Sequence, residues 1–188
     1  MPSPREASPQ LQEAMDRIVE DVNRTIARLL PETDLAEKKL YKAMRHGVLN
    51  GGKRLRPFLL VQSAKLFNVD EARARRVAAA LEFVHCYSLI HDDLPAMDDD
   101  DERRGKPTCH VEYDEATAVL VGDVLLTRAF EVLVNDIQEP ALTVQLVRLL
   151  ASASGGAGMV GGQMEDLSGD LSTLDALIEM QNKKTGAL

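Results

Sequence analysis

The chain has 188 residues, 45% of them hydrophobic, which suits one domain with a buried core, and we predict a single domain over residues 1–188. The net charge of -8 argues against a general nucleic-acid binder, because such proteins need surplus Lys and Arg to displace counterions from phosphates. No apolar run approaches a membrane span in length and the N-terminus has no apolar signal core, so we expect a soluble, cytoplasmic protein without membrane insertion.

Apolar residues at spacings of three and four predict amphipathic helices along most of the chain, and strand signals are almost absent. The first helix is expected over residues 10–30, where Pro31 ends it. The others are expected over 35–49, from RPFLLVQSAKLF onward, and over 72–94, 116–134, 141–152 and 172–188. The sequence therefore predicts an all-α bundle of long helices.

The GAGMVG stretch at 156–161 matches the dinucleotide-binding pattern GxGxxG. That pattern is informative only when it follows a strand and opens a helix in a βαβ unit. Because the residues before it have a helical pattern, we interpret these glycines as sites of close helix packing.

The segment HDDLPAMDDDDERR at 91–104 holds seven carboxylates and two arginines. Like charges this close repel one another unless a cation lies among them. Oxygen ligands without His or Cys suit Mg²⁺ beside substrate phosphates, and the alternative is a solvated acidic loop between helices. Pro95 should end or kink the helix near 92–94, after which Asp98 can turn back toward Asp92.

One face of the helix before this segment combines polar and apolar residues. Helical geometry places His85, Ser88 and Asp92 within about 40° of one another, with about 10 Å between the first and the last. Leu81 extends the face at its apolar end. The pattern indicates a site for a molecule with a charged head and an apolar tail.

Two basic stretches accompany the aspartates. NGGKRLRP at 50–57 and ERRGKP at 102–107 carry six cations: Lys53, Arg54, Arg56, Arg103, Arg104 and Lys106. The first stretch lies at a helix start, where backbone N–H groups also favour an anion. Together they indicate two anion sites, one held through a metal and one held directly by Lys and Arg.

Four blocks of the sequence resemble the trans-prenyltransferases, or polyprenyl synthetases, and within them the bacterial farnesyl diphosphate synthases. The blocks are GGKRLRP, HCYSLIHDDLPAMDDDDERRGKPTCH, GGQMEDL and KKTGAL, and they span residues 50–188 in the family's order. The resemblance implies a bundle of the isoprenoid synthase type. It also implies a homodimer that uses several Mg²⁺ ions.

The resemblance assigns roles to individual residues. Asp92 and Asp98 are implied to bind Mg²⁺, with Asp93 and Asp99 as supporting charges, and Arg103 to bind the allylic diphosphate. Residues implied to bind isopentenyl diphosphate are Lys53, Arg56, His85 and Arg104. Residues implied to lie beside the developing allylic cation are Lys184 and Thr185, with Gln163 and Asp166 nearby.

The implied reaction is Mg²⁺-dependent head-to-tail condensation of isopentenyl diphosphate with dimethylallyl or geranyl diphosphate to give farnesyl diphosphate. It needs no side-chain nucleophile, because catalysis consists of stabilising a leaving diphosphate and positioning two substrates away from water. The bulky Tyr87, five residues before Asp92, resembles a floor that stops the product at fifteen carbons. Small Ser88 leaves twenty carbons, and hence geranylgeranyl diphosphate, open.

Two other functions remain possible at this point. A terpene cyclase has an all-α fold and an aspartate motif, but it needs no second, Lys/Arg-lined anion site. A non-catalytic subunit or fragment of a prenyl synthase would usually be expected to lose the aspartates, and this chain keeps them.

The family's second aspartate-rich motif does not occur after residue 110. We therefore expect this chain to be an N-terminal portion that lacks the C-terminal helices of the bundle. Because further Mg²⁺ ions would have too few ligands, we also expect it to be inactive alone.

Overall fold

The computed structural model describes residues 8–169 and 172–188. The chain divides into two compact units, Met1–Arg128 and Ala129–Leu188. Whether both belong to one domain over 1–188, as the sequence predicts, stays a prediction. Helices dominate both units, so the all-α class is confirmed.

Long helices form the first unit. Their bounds are α1 Pro9–Leu29, α2 Lys38–Leu49, α3 Leu55–Leu66, α4 Glu71–Asp92, the short α5 Cys109–Glu112, and α6 Glu115–Asp136, which contains the unit boundary. The predicted apolar stripe of α1 is buried at Ile18, Val22, Ile26 and Leu29, whereas Leu11 at its outer end is exposed. The α1, α2 and α3 helices each pack against α4, whose Phe83 and Val84 are fully buried. This packing makes α4 the central helix of the unit.

A small β-hairpin departs from the prediction that strands are almost absent. Strand β1 (Glu102–Arg103) pairs antiparallel with β2 (Lys106–Pro107), so that Arg103 lies opposite Lys106. Between them, Arg104 and Gly105 have φ angles of 58° and 76°. Two successive residues at positive φ match the twist of a tight hairpin. The turn, rather than β-branched side chains, therefore accounts for this hairpin.

The α4 helix ends where Pro95 predicted. Asp92 is its last residue, and the ring of a proline at 95 cannot continue the backbone hydrogen-bond ladder. The chain then folds back, and the backbone N–H of Asp98 donates a 2.8 Å hydrogen bond to the carbonyl oxygen of Asp92. The aspartate segment is therefore a closed turn rather than an extended loop.

The second unit contains α7 Pro140–Ser154, α8 Met159–Ser168, α9 Leu174–Gln181 and a π-helical turn, Asn182–Gly186. The α8 helix was not predicted, because its glycines obscure the helical pattern. A β-carbon on Gly158 would lie 2.0 Å from the carbonyl oxygen of Ala153, and one on Gly162 would lie 2.3 Å from the backbone nitrogen of Lys184. Gly158, within the GAGMVG stretch, thus permits close backbone packing as interpreted from the sequence, and Gly162 just after that stretch does the same.

Within the described ranges, every helix is too short or too polar to cross a lipid bilayer.

Candidate functional site

A pocket of about 500 Å³ lies in the first unit between the 50–56 segment, α4 and the hairpin turn. Its lining includes all four residues that the resemblance assigned to isopentenyl diphosphate: Lys53, Arg56, His85 and Arg104. The fold brings them together because α4 presents His85 beside the segment that precedes α3. Three cations around one concave surface make this pocket suitable for an anion.

Arg104 connects the hairpin to the glycine-containing segment. Its Nη1 donates a 2.6 Å hydrogen bond to the carbonyl oxygen of Gly51. Its guanidinium also lies so close to Gly52 that a β-carbon there would be 2.5 Å from Nη1. Gly52 itself has a φ of 122°, which L side chains rarely adopt. Glycine at this position therefore permits the approach of Arg104.

Arg56 lines the pocket and has one donor that is not satisfied within the described part of the chain. Its Nε is buried and has no hydrogen-bond partner among the described residues. A buried donor of this kind is costly unless a ligand or water satisfies it. Lys53, in contrast, is exposed at the pocket's edge.

His85 is a neutral imidazole at neutral pH. Burial lowers its pKa to about 4, with Arg56, Arg104 and Arg54 contributing in the same direction against an opposing effect of Glu82. The neutral ring can donate one hydrogen bond to an anion without adding a buried positive charge.

A buried ion pair forms part of the pocket's lining. Arg54 Nη1 lies 2.7 Å from Glu82 Oε1, and both side chains are buried. Sequence reasoning placed Arg54 in the basic cluster without a role and did not single out Glu82. The one available signal was a carboxylate inside the apolar run AAALEFV, because a charge there needs a buried partner.

The aspartate segment places Asp92 and Asp98 at the two ends of one turn. Asp92 is half-buried at the end of α4, and Asp98 is exposed. Across the described part of the chain, no group of three or more His, Cys, Asp or Glu side chains is arranged to hold a metal ion. Two carboxylates nevertheless fit Mg²⁺, which commonly takes one or two carboxylates and completes its shell with water and substrate phosphate.

Asp93 has a different environment from its neighbours. Its buried carboxylate accepts hydrogen bonds from Arg103 Nε at 2.7 and 2.9 Å, and a further one from Arg103 Nη2. The hydrogen bond to Asp93 is the main cause of the raised pKa of Arg103. Asp93 is thus the partner of Arg103 in this structure, and its expected share in a metal site stays a prediction.

Tyr87 and Ser88 lie on α4 between the pocket and the aspartates. The Tyr87 ring is 8% exposed and packs edge-on against His91, with 5.8 Å between ring centroids. Burial, and then the charge of Asp92, raise the pKa of its hydroxyl. Ser88 Oγ donates a 2.9 Å hydrogen bond to the carbonyl oxygen of His85. The role of these two residues in product length stays a prediction.

In the second unit, the KKTG segment forms the π-helical turn. Lys184 Nζ pairs with Asp166 Oδ2 at 2.5 Å, which brings together two residues expected to lie near each other. Thr185 Oγ1 donates to Gln181 Oε1 at 3.3 Å, and Gln163 is half-buried on α8. Single π-helical turns are rare and frequently occur at functional sites.

Comparisons with known proteins agree with this arrangement. A family model described as polyprenyl synthetase matches residues 37–188. The chain belongs to the polyprenyl synthetase family. It is 46% identical over 180 residues to the farnesyl diphosphate synthase of Escherichia coli (strain K12), covering 93% of this chain and 60% of that protein. It is 42% identical over 174 residues to the farnesyl diphosphate synthase of Micrococcus luteus, covering 89% of this chain and 60% of that protein.

The fold is also that of solved members of this group. The apo structure of an FPP/GFPP synthase from Zymomonas mobilis matches with a TM-score of 0.90 at 46% identity, covering 95% of this chain and 66% of that one. This match confirms the predicted isoprenoid synthase type of bundle. The chain spans about 60% of the length of the curated relatives it matches.

Proposed function

We propose that this chain carries the first aspartate motif and the isopentenyl diphosphate pocket of a short-chain trans-prenyl diphosphate synthase. The reaction is the head-to-tail condensation of isopentenyl diphosphate with dimethylallyl or geranyl diphosphate to give farnesyl diphosphate. The observation that carries the proposal is the pocket in which Lys53, Arg56, His85 and Arg104 meet. The 41–46% identity to several farnesyl diphosphate synthases supports it.

The two substrate sites are adjacent through one hairpin. Arg104 lines the isopentenyl diphosphate pocket, and the preceding Arg103 pairs with Asp93 beside the aspartate turn. Consecutive residues of the hairpin thus serve two anions. A terpene cyclase, which binds a single diphosphate, has no use for this second site.

The residues of this chain bind and orient both diphosphates in the proposed reaction. Asp92 and Asp98 would hold Mg²⁺, which when bound supplies charge that stabilises the departing diphosphate. Arg103 would bind the allylic diphosphate, and Lys184 and Thr185 would face the developing allylic cation, with Gln163 nearby. Neutral His85 would donate a hydrogen bond to the second diphosphate. The C–O bond of the allylic substrate breaks, the isopentenyl double bond attacks the resulting cation, and the departed diphosphate accepts the proton that is then lost.

Several finer features belong to this proposal. We infer a homodimer in the cytoplasm and a product of fifteen carbons, with Tyr87 as the floor of the chain cavity. Twenty carbons, as in geranylgeranyl diphosphate, are the alternative if Ser88 opens the cavity. The name of the Zymomonas mobilis relative covers two products, FPP and GFPP, so identity alone does not decide product length. A non-catalytic subunit is the remaining alternative.

The test is a diphosphate-release assay on this chain joined to the segment of the Escherichia coli enzyme that follows the matched region. That segment would supply the second aspartate motif. With Mg²⁺, elongation requires both substrates, whereas a cyclase releases diphosphate from the allylic substrate alone. A non-catalytic chain releases none in either case. In the same assay, Tyr87→Ala should lengthen the products, and an unchanged chromatogram would place the floor elsewhere.

A further inference from the structure

The pocket proposed for isopentenyl diphosphate contains a carboxylate. Glu82 lines it, together with the cations, one turn of α4 before His85. An uncompensated negative charge at this place would repel a diphosphate, because electrostatic interactions are strong where water is partly excluded. The pocket can bind an anion only if this charge is neutralised.

Arg54 is placed to neutralise it. Its Nη1 is 2.7 Å from Glu82 Oε1, and the side chains of the pair are 0% and 2% exposed. The other guanidinium nitrogens are also engaged: Nη2 donates to the carbonyl oxygen of Val48 at 2.5 Å, and Nε to Asn23 Oδ1 at 3.0 Å. Arg54 therefore links α1, the end of α2 and α4.

The backbone of Arg54 shows that this placement is constrained. Its φ of 47° and ψ of 39° lie in the left-handed region, which is unfavourable for a residue with a β-carbon. The surrounding contacts maintain that conformation, and it directs the side chain inward while the neighbouring Lys53 is exposed at the pocket's edge. Arg56, two residues later, lies in the first turn of α3 and lines the same pocket.

We propose that Arg54 is a positioning residue, which neutralises Glu82 inside the anion pocket and fixes the segment that presents Lys53 and Arg56. Arg54 acts on the substrate through these neighbours. The inference rests on the proposed function, because it assigns the means by which the isopentenyl diphosphate pocket accepts its anion.

The experiment titrates the 188-residue chain with isopentenyl diphosphate and with inorganic pyrophosphate in EDTA, so that metal-dependent binding is excluded. Arg54→Met should weaken binding of both by about tenfold or more, because it exposes the anion to an uncompensated Glu82. Glu82→Gln should strengthen binding severalfold, because Arg54 then contributes its charge. The double variant Arg54→Met/Glu82→Met should bind more tightly than Arg54→Met alone. Arg17→Met, which removes a cation from the exposed Arg17–Glu13 pair on α1, is the matched control and should bind as the unaltered chain does.

The outcomes separate this role from a merely structural one. A brace that does not neutralise Glu82 predicts that Arg54→Met and Glu82→Gln both weaken binding, and weaker binding by Glu82→Gln would overturn the inference. Binding by Glu82→Gln tests the inference even if Arg54→Met fails to fold. Unchanged binding by a folded Arg54→Met would also overturn it, without affecting the proposed function. An unaltered chain that binds neither anion would overturn the proposed function itself, and this inference with it.

Discussion

The backbone N–H of Asp98 donates a 2.8 Å hydrogen bond to the carbonyl oxygen of Asp92, which closes the aspartate segment into a turn. The first and last carboxylates of DDxxxxD are therefore held at the two ends of one turn before any ligand binds. Preorganisation of this kind lowers the entropy cost of binding a metal and a diphosphate together.

We predict that Asp92→Ala and Asp98→Ala each abolish Mg²⁺-dependent binding of geranyl diphosphate while leaving the fold intact. The aspartate cluster repels itself, so losing one carboxylate should not destabilise the ligand-free chain. Titration calorimetry with and without EDTA measures the binding, and thermal melting measures the fold. Asp101→Ala removes an exposed charge from the same segment and serves as the control. A variant of Asp92 or Asp98 that kept normal Mg²⁺-dependent binding would show that the site is assigned wrongly.

Asp93→Asn should behave differently from the other two substitutions. It removes the buried carboxylate that Arg103 binds through two nitrogens, so it should lower the free energy of unfolding by about 2 kcal/mol. Chemical denaturation of Asp93→Asn beside Asp92→Asn measures this difference. Equal stability of the two variants would argue against a structural role for the Asp93–Arg103 pair.

Stability should fall in acid partly because of His85. Its pKa is about 4 in the folded chain against an ordinary value of about 6.5, so the unfolded chain binds more protons between those values. The contribution of His85 to the free energy of unfolding is therefore complete above pH 6.5. It falls by on the order of 2–3 kcal/mol as the pH is lowered toward 4. The measurement is the difference between the unaltered chain and His85→Gln in denaturation curves from pH 7 to 4. A difference that does not change with pH would contradict burial of a neutral imidazole.

Gly52→Ala should weaken isopentenyl diphosphate binding by displacing Arg104. The added methyl carbon would lie 2.5 Å from Arg104 Nη1, and a guanidinium cannot remain there. Gly51→Ala is a close control, because Gly51 also has a positive φ, of 90°, but open space at its β-carbon position. Both variants carry backbone strain, so strain largely cancels when their dissociation constants are compared. The ratio of the two constants then reports the displacement of Arg104. Equal affinities would show that Arg104 does not contribute to this pocket.

Local signals in the sequence predicted much of this structure. Three helices end near the positions marked by Pro31, Gly51 and Pro95. Proline removes a backbone donor and glycine permits unusual φ angles in any tertiary context, so both mark helix ends in the sequence itself. The return of Asp98 to Asp92 followed from the same proline. The family blocks also grouped Lys53, Arg56, His85 and Arg104, which the structure brings together in one pocket, whereas the charge pattern alone placed only the three cations in basic stretches.

Features that depend on distant partners were not predicted. The Arg54–Glu82 pair joins residues 28 positions apart, and neither periodicity nor charge pattern indicates which buried carboxylate meets which cation. The resemblance gave Asp93 a supporting charge at the metal site, and its pairing with Arg103 was not predicted, because the charge pattern does not indicate which aspartate meets which arginine. The α8 helix was missed because its stability comes from close packing at Gly158 and Gly162 rather than from propensity.

If this chain holds two diphosphate sites of different kinds, one calorimetric experiment can separate them. The 188-residue chain is titrated with isopentenyl diphosphate in EDTA, and then, with that site saturated and Mg²⁺ added in excess of the EDTA, with the unreactive thiolo analogue of geranyl diphosphate. We predict that the first ligand binds without metal and that the second binds only with Mg²⁺. Lys53→Ala should remove only the binding of isopentenyl diphosphate, and Asp92→Ala should remove only the Mg²⁺-dependent binding of the analogue. Competition between the two ligands for one site, or loss of both binding events in either variant, would contradict this prediction.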